Sequence, residues 1–219
     1  MFRMLYEKRG DAVWISHLDL MRVFQRAFRR AGLMLKHSQG FTPRAIVSIA
    51  LPLSVGVESG CELLDFELEG TAPPLEDLTA MVNGALPAGV RVLETYEARR
   101  KIRELTTLQA RLYLEYDGGV PEEAASAIEK LLDGETLMME KHSRKGTTET
   151  DLLPLLKNWS MEKTDGHTLV LELLVCAQNP SLNPQLLGNA IERYCPAVTP
   201  DFAYTQRLEV FDDEGRIFR

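Results

Sequence analysis

The first forty-four residues carry most of the side chains with which this chain could do chemistry: His17, Arg22, Arg26, Arg29, Arg30, Ser38, Gly40 and Arg44. Four guanidinium groups, Arg22, Arg26, Arg29 and Arg30, spread over ~12 Å if that segment is helical. Each is a permanent cation with a planar fork of donors, suited to phosphates or to an acidic partner. A solvated helix back is the plainer alternative. In KHSQGFTPRA (36–45), Gly40 permits backbone that other residues resist, and Pro43 fixes φ just ahead of Arg44. Ser38 and Gln39 add short hydrogen-bonding groups. Such a loop can present backbone N–H groups, a hydroxyl and a guanidinium to an anion. Its structural alternative is a bulged entry into a strand, and Phe41 is expected to anchor in the core.

His17 and His37 invite an acid–base reading, but they flank the same helix and would sit ~20 Å apart along its axis. If residues 38–44 ran extended they would span ~20 Å and return Arg44 towards His17. A site of His17, Arg44 and Ser16 is then geometrically open, with His17 as the weak catalytic candidate. The alternative is that His17 simply begins a helix. Three cysteines, Cys61, Cys176 and Cys195, lie far apart with no CxxC or His/Cys cluster at zinc or iron–sulfur spacing. They read as small hydrophobes. Glu67 and Glu69 have no legible third ligand, so neither a metal nor a cofactor is expected.

These residues need elements to position them. AVWIS (12–16) reads as a strand. Ser16 opens S-H-L-D, close to a capping box, and Leu18, Met21, Phe24, Phe28 and Ala31 recur at helical spacing up to a C′ glycine, Gly32. Strands are expected over 46–53, 62–70 and 89–99, with a helix over 74–86. The 62–70 strand alternates Leu64, Phe66 and Leu68 with Asp65, Glu67 and Glu69, giving one acidic face. That face argues against a nucleic-acid platform of exposed aromatics. It suits solvent or basic groups of the chain's other half. The pattern repeats with strands at 108–117, 136–146, 167–177 and 201–211 and helices at 121–134 and 183–195. Residues 141–156 read as a connector, and 177–184 as turn and helix entry. The expected fold class is α+β, two tandem ferredoxin-like (βαββαβ) units. The first spans 1–100 with the basic helix and the S-x-G-F-x-P loop, and the second, acidic, spans 101–219.

At 219 residues, with 45% apolar and 26% charged residues, the chain can bury a sizeable core. It has no apolar run of the ~20 residues a membrane helix needs and no signal peptide at its start, so no membrane partner and a cytoplasmic location are expected. The net charge of −7 disfavours general nucleic-acid binding. The distribution is uneven, however. Residues 1–50 hold nine Lys/Arg against three Asp/Glu, whereas 51–219 hold sixteen against twenty-nine.

WISHLDLMRVFQRAFRRAGL, HSQGFTPRAIVSIALPLSVGVES and ELLDFEL resemble the bacterial radical SAM-linked protein family, whose distinctive marks are S-H-L-D-L and S-x-G-F-x-P. The similarity extends to the KG…ETDLLP region and the closing R-L-E-V-F. Members occur fused to, or encoded beside, a radical SAM enzyme. The resemblance implies an accessory or recruiting domain with a radical SAM protein as partner, binding RNA or a ribosome-related substrate through a basic patch. The contact residues would be Arg22, Arg26, Arg29, Arg30, Ser38, Gly40 and Arg44. It implies no catalytic residues, so the chain is not expected to be an enzyme on its own. The alternatives are a metal-independent ribonuclease or RNA-modifying enzyme built on His17, and a structural protein–protein interaction subunit.

Overall fold

A computed structural model describes residues 1–143 and 146–219; Arg144 and Lys145, part of the basic turn in the sequence, lie outside the described residues. The fold is α+β, and the chain divides into two compact units, Met1–Glu104 (with Arg219) and Leu105–Phe218.

The first unit runs β1 (Phe2–Lys8), α1 (His17–Arg30), β2 (Val47–Ile49), β3 (Glu58–Phe66), α2 (Leu75–Asn83) and β4 (Val90–Glu97). Its strands lie in the order β4-β1-β3-β2, every neighbour antiparallel. Helix α1 starts where Ser16 caps it, with Ser16 Oγ accepting from Asp19 N at 3.2 Å. Gly32 follows its C-terminus at φ +73°, the left-handed geometry that suits glycine. The helix buries Leu20, Phe24, Ala27 and Phe28. Phe24 meets the Tyr6 ring edge-on at 4.8 Å and Phe28 lies 4.7 Å from Phe66. Leu18, expected on that face, is exposed instead.

Two further expectations fail here. The first strand is FRMLYEK, and AVWIS belongs largely to a 3-10 turn over Gly10–Trp14. The reason is Lys8, which is buried and donates to the carbonyls of Val13 (3.0 Å) and Ile15 (2.8 Å). Val13 O also accepts from Gly56 N, and Ile15 N donates to Ala12 O within the turn, so the segment's backbone groups are held locally. Burial also lowers the Lys8 pKa. Strand β3 lacks a solvated acidic face: Asp65 is buried against Arg3, and Glu67, beyond the strand end, pairs with Lys36 at 2.9 Å. Both partners come from the same unit. The expected strand over 46–53 shrinks to three residues.

The second unit runs β5 (Thr107–Glu115), α3 (Ala124–Leu132), β6 (Met138–Ser143), β7 (Gly146–Asp151), β8 (Leu156–Lys163), β9 (Thr168–Cys176), α4 (Gln185–Tyr194) and β10 (Phe202–Phe211). Its main sheet is β10-β5-β9-β8, antiparallel throughout. The strand expected at 136–146 is not part of it. Instead β6 pairs with β7 in a separate hairpin inserted before β8. The supposed connector therefore contains strand β7, tied at its end by Asp151 Oδ1 accepting from Leu137 N and Leu153 N. Strand β8 escapes notice in the sequence because most of its side chains are exposed. An edge strand of that kind has little apolar alternation to read.

Candidate functional site

Three successive turns of α1 present Met21, Gln25 and Arg29 along one stripe, spaced i, i+4, i+8. Facing that stripe is the chain that follows the helix. Residues 34–36 run along the end of β3, with Lys36 N donating to Glu67 O and Glu69 N donating to Met34 O, both at 2.9 Å. The chain then doubles back. Ser38 N donates to Arg44 O (2.8 Å), Arg44 N donates to Ser38 Oγ (3.1 Å), and Ile46 N donates to Lys36 O (2.7 Å). His37 and Ala45 form the bridge between these bonds. QGFTP, residues 39–43, is thus a five-residue tip on a bonded stem. Gly40, at φ +145°, adopts backbone that a side chain would strain.

Stem and helix enclose a hollow of about 470 Å³. Its polar groups are Gln25, Arg29, His37 and Arg44, while Met21 and Met34 are among its apolar walls, and no carboxylate side chain lines it. Among the described residues neither the Arg29 nor the Arg44 guanidinium has an ion-pair partner. Two permanent cations sharing a lining without an acid make a place for an anion.

The expected site residues therefore divide. Arg29 and Arg44 meet. Ser38 and Gly40 shape the loop that carries Arg44, although neither lines the hollow. Arg22, Arg26 and Arg30 stand on the neighbouring stripe of α1, about 100° round the helix. Arg22 is bonded to Asp19 at 2.8 Å and Arg30 donates to Ala85 O at 3.4 Å. The Asp19 carboxyl is held below its usual range by the Ser16 hydroxyl, then by the Arg22 hydrogen bond, and further by the charges of Arg22 and Arg26.

The His17–Arg44 arrangement is not assembled. It required 38–44 to run extended, and those residues close on themselves, leaving Arg44 beside the last turns of α1. His17 begins the helix, ~18 Å of rise from Arg29. It does not line the hollow, and its buried Nδ1 finds no hydrogen-bond partner among the described residues. The expected core anchor Phe41 is wholly in solvent, at 106% exposure. Because its neighbours in the tip make no ladder bonds, nothing folds the ring back.

The sequence reading also missed a feature of the second unit. Strands β5 and β10 show solvent a half-exposed row with Tyr113 and Tyr204 stacked at 4.6 Å and 5°, and Phe202 beside Tyr204 at 5.7 Å. Next to it Gln109, Asn158, Ser160 and Glu172 line a hollow of about 280 Å³. The alternation in LQARLYLEYD was the available signal. Among the described residues no group of three His, Cys, Asp or Glu gathers as a metal site, and no helix is long and apolar enough to cross a membrane.

The sequence from 1 to 184 matches the profile of a family described as an uncharacterized protein conserved in bacteria, DUF2344. The chain belongs to that family. No curated protein matches it. Among solved structures, it aligns over 97% of its length with 50% of a chain from a Cbf5-Nop10-Gar1 complex, at TM-score 0.55 and 10% identity. It also aligns over 94% of its length with 46% of a chain from the archaeal box H/ACA sRNP Nop10-Cbf5 complex, at TM-score 0.49 and 12% identity. The family member spans about half the length of these chains, and at such identity the likeness is one of fold.

Proposed function

We propose that this family member is a recruiting module that holds the phosphate backbone of RNA in the hollow between α1 and the 38–44 loop. The observation that carries the reading is the joint lining of one acid-free hollow by Arg29 and Arg44, in a chain whose net charge is −7. Gln25 and His37 add hydrogen-bonding groups in the same lining. The outward stripe of Arg22, Arg26 and Arg30 extends the positive surface. The structural match to a chain of the Cbf5-Nop10-Gar1 complex fits an α+β module that works inside a larger assembly. The antiparallel order 4-1-3-2 that each unit follows, counting β8 as the second strand of the later one, supports reading both as ferredoxin-like repeats. The S-H-L-D-L and S-x-G-F-x-P marks support a radical SAM enzyme as the protein partner, with the phosphate-holding hollow delivering that enzyme's substrate.

The test is RNA affinity against salt. For single strands the slope of log K on log[salt] is roughly −0.7 per phosphate neutralised. Two contacts, Arg29 and Arg44, give a slope of about −1.4. All five arginines engaged give about −3.5. R29E/R44E is expected to abolish most of the binding. Absence of RNA binding at low salt, or full affinity in R29E/R44E, overturns the reading and leaves a protein–protein role.

A further inference from the structure

We infer that the RNA taken by this hollow is unpaired, and that Phe41 stacks on a base while Arg29 and Arg44 hold an adjacent phosphate. The inference rests on the RNA reading above and adds the class of substrate. Its starting point is the exposure of Phe41, which at 106% exceeds that of any other large hydrophobic residue, Trp14 being next at 68%. A phenyl ring fully in water gains free energy when a ligand covers it. The stem beneath it is bonded three times, through Ser38 N, Arg44 N and Ile46 N. The tip is therefore offered from a fixed base, and the flanking stem has no ordering left to undergo on contact.

Charge complementarity selects the occupant. Arg44 lies three residues from Phe41, at most ~10 Å away along the chain. Arg44 lines the hollow, and no carboxylate lines it alongside. An apolar peptide would cover the ring but leave two arginines unanswered. An unpaired nucleotide supplies both a π-face and a negative charge on one short unit. A duplex does not, because its bases are already stacked and its deep major groove excludes side chains.

The experiment compares the wild type, F41A, F41W and R29E/R44E. Each is titrated with a labelled unstructured RNA oligonucleotide, with a blunt duplex of equal length, and with vesicles of anionic phospholipid. The expected result is preference for the single strand. F41A should weaken that complex by roughly five- to a hundredfold, without altering the salt slope or the duplex affinity. F41W should retain affinity, its fluorescence quenched by RNA above the Trp14 and Trp159 background. Equal affinity for duplex and single strand, or an F41A complex of wild-type strength, overturns this inference while R29E/R44E still reports on the hollow. Vesicle binding that depends on Phe41, with no Phe41 dependence towards RNA, also overturns it, in favour of a lipid surface. No RNA binding by any protein, the wild type included, removes both readings together. Phe41 makes no core contact, so circular dichroism of F41A should match the wild type.

Discussion

Each of the two units pairs an arginine with a carboxylate across neighbouring strands of its sheet, near the end of the ladder in the first and at its middle in the second. In each, the residue is on the first strand and its partner directly across on the third: Arg3 and Asp65 between β1 and β3, Arg111 and Glu172 between β5 and β9. Arg3 Nε and Nη2 donate to the two Asp65 oxygens at 2.6 and 2.9 Å, with Arg3 1% exposed. Arg111 Nε and Nη2 both donate to Glu172 Oε1, at 2.8 and 2.6 Å, and both side chains stay about 40% exposed. The same pairing thus serves opposite ends. In the first unit it lets a sheet be buried with charges inside it. In the second it neutralises an open face that carries aromatic rings.

The largest expected effect breaks this comparison directly. Asp65→Ala removes the buried carboxylate that Arg3 pairs with, which costs about 3–5 kcal/mol. Glu172→Ala should cost less than about 1 kcal/mol, because solvent answers Arg111. Thermal unfolding of the two variants measures both, and equal losses would show that exposure does not separate the pairs. Next in size is Ser16→Ala, which removes the cap of α1 and is expected to cost about 1 kcal/mol. Because the cap stands at the far end of α1 from the hollow, RNA affinity should be unchanged at temperatures where the protein is folded.

The smallest effect is a matter of pH. Tyr96 in the first unit and Tyr116 in the second are pushed up to about 12, chiefly by burial. The folded pKa exceeds the ordinary 10.0 of the unfolded chain. The neutral phenol's contribution is therefore complete below pH 10 and is lost as pH rises from 10 through 12. Tyr116→Phe should flatten that fall while losing the hydrogen bond to Val198 O. Adding Tyr96→Phe in a double variant should flatten it further. An unaltered pH profile in Tyr116→Phe would refute the assignment.

Legibility differed between the units for the same reason. LQARLYLEYD alternates because one face of β5 is open, and the strand could be read residue by residue. FRMLYEK is buried on nearly every residue, so no period of two survives. Lys8 within it is the group that holds the following turn, through Val13 O and Ile15 O. Helix α1 was legible from its cap and glycine, and Arg29 and Arg44 were legible as cations. Their meeting was not, because it depends on 38–44 folding back, and the bonds that do this are mostly backbone. Phe41 was misjudged because apolar character was equated with burial, when its neighbours Gly40, Thr42 and Pro43 offered no strand to bury it.

The bonded stem beneath residues 39–43 has one more consequence. Since the clamp is made by residues on either side of the tip, residues can be added to the tip with small thermodynamic penalty, while Gly40 at φ +145° stays fixed by its backbone. A library confined to positions 39, 41 and 42, with Gly40 and Pro43 kept, would sample ligand preference with little change in foldability.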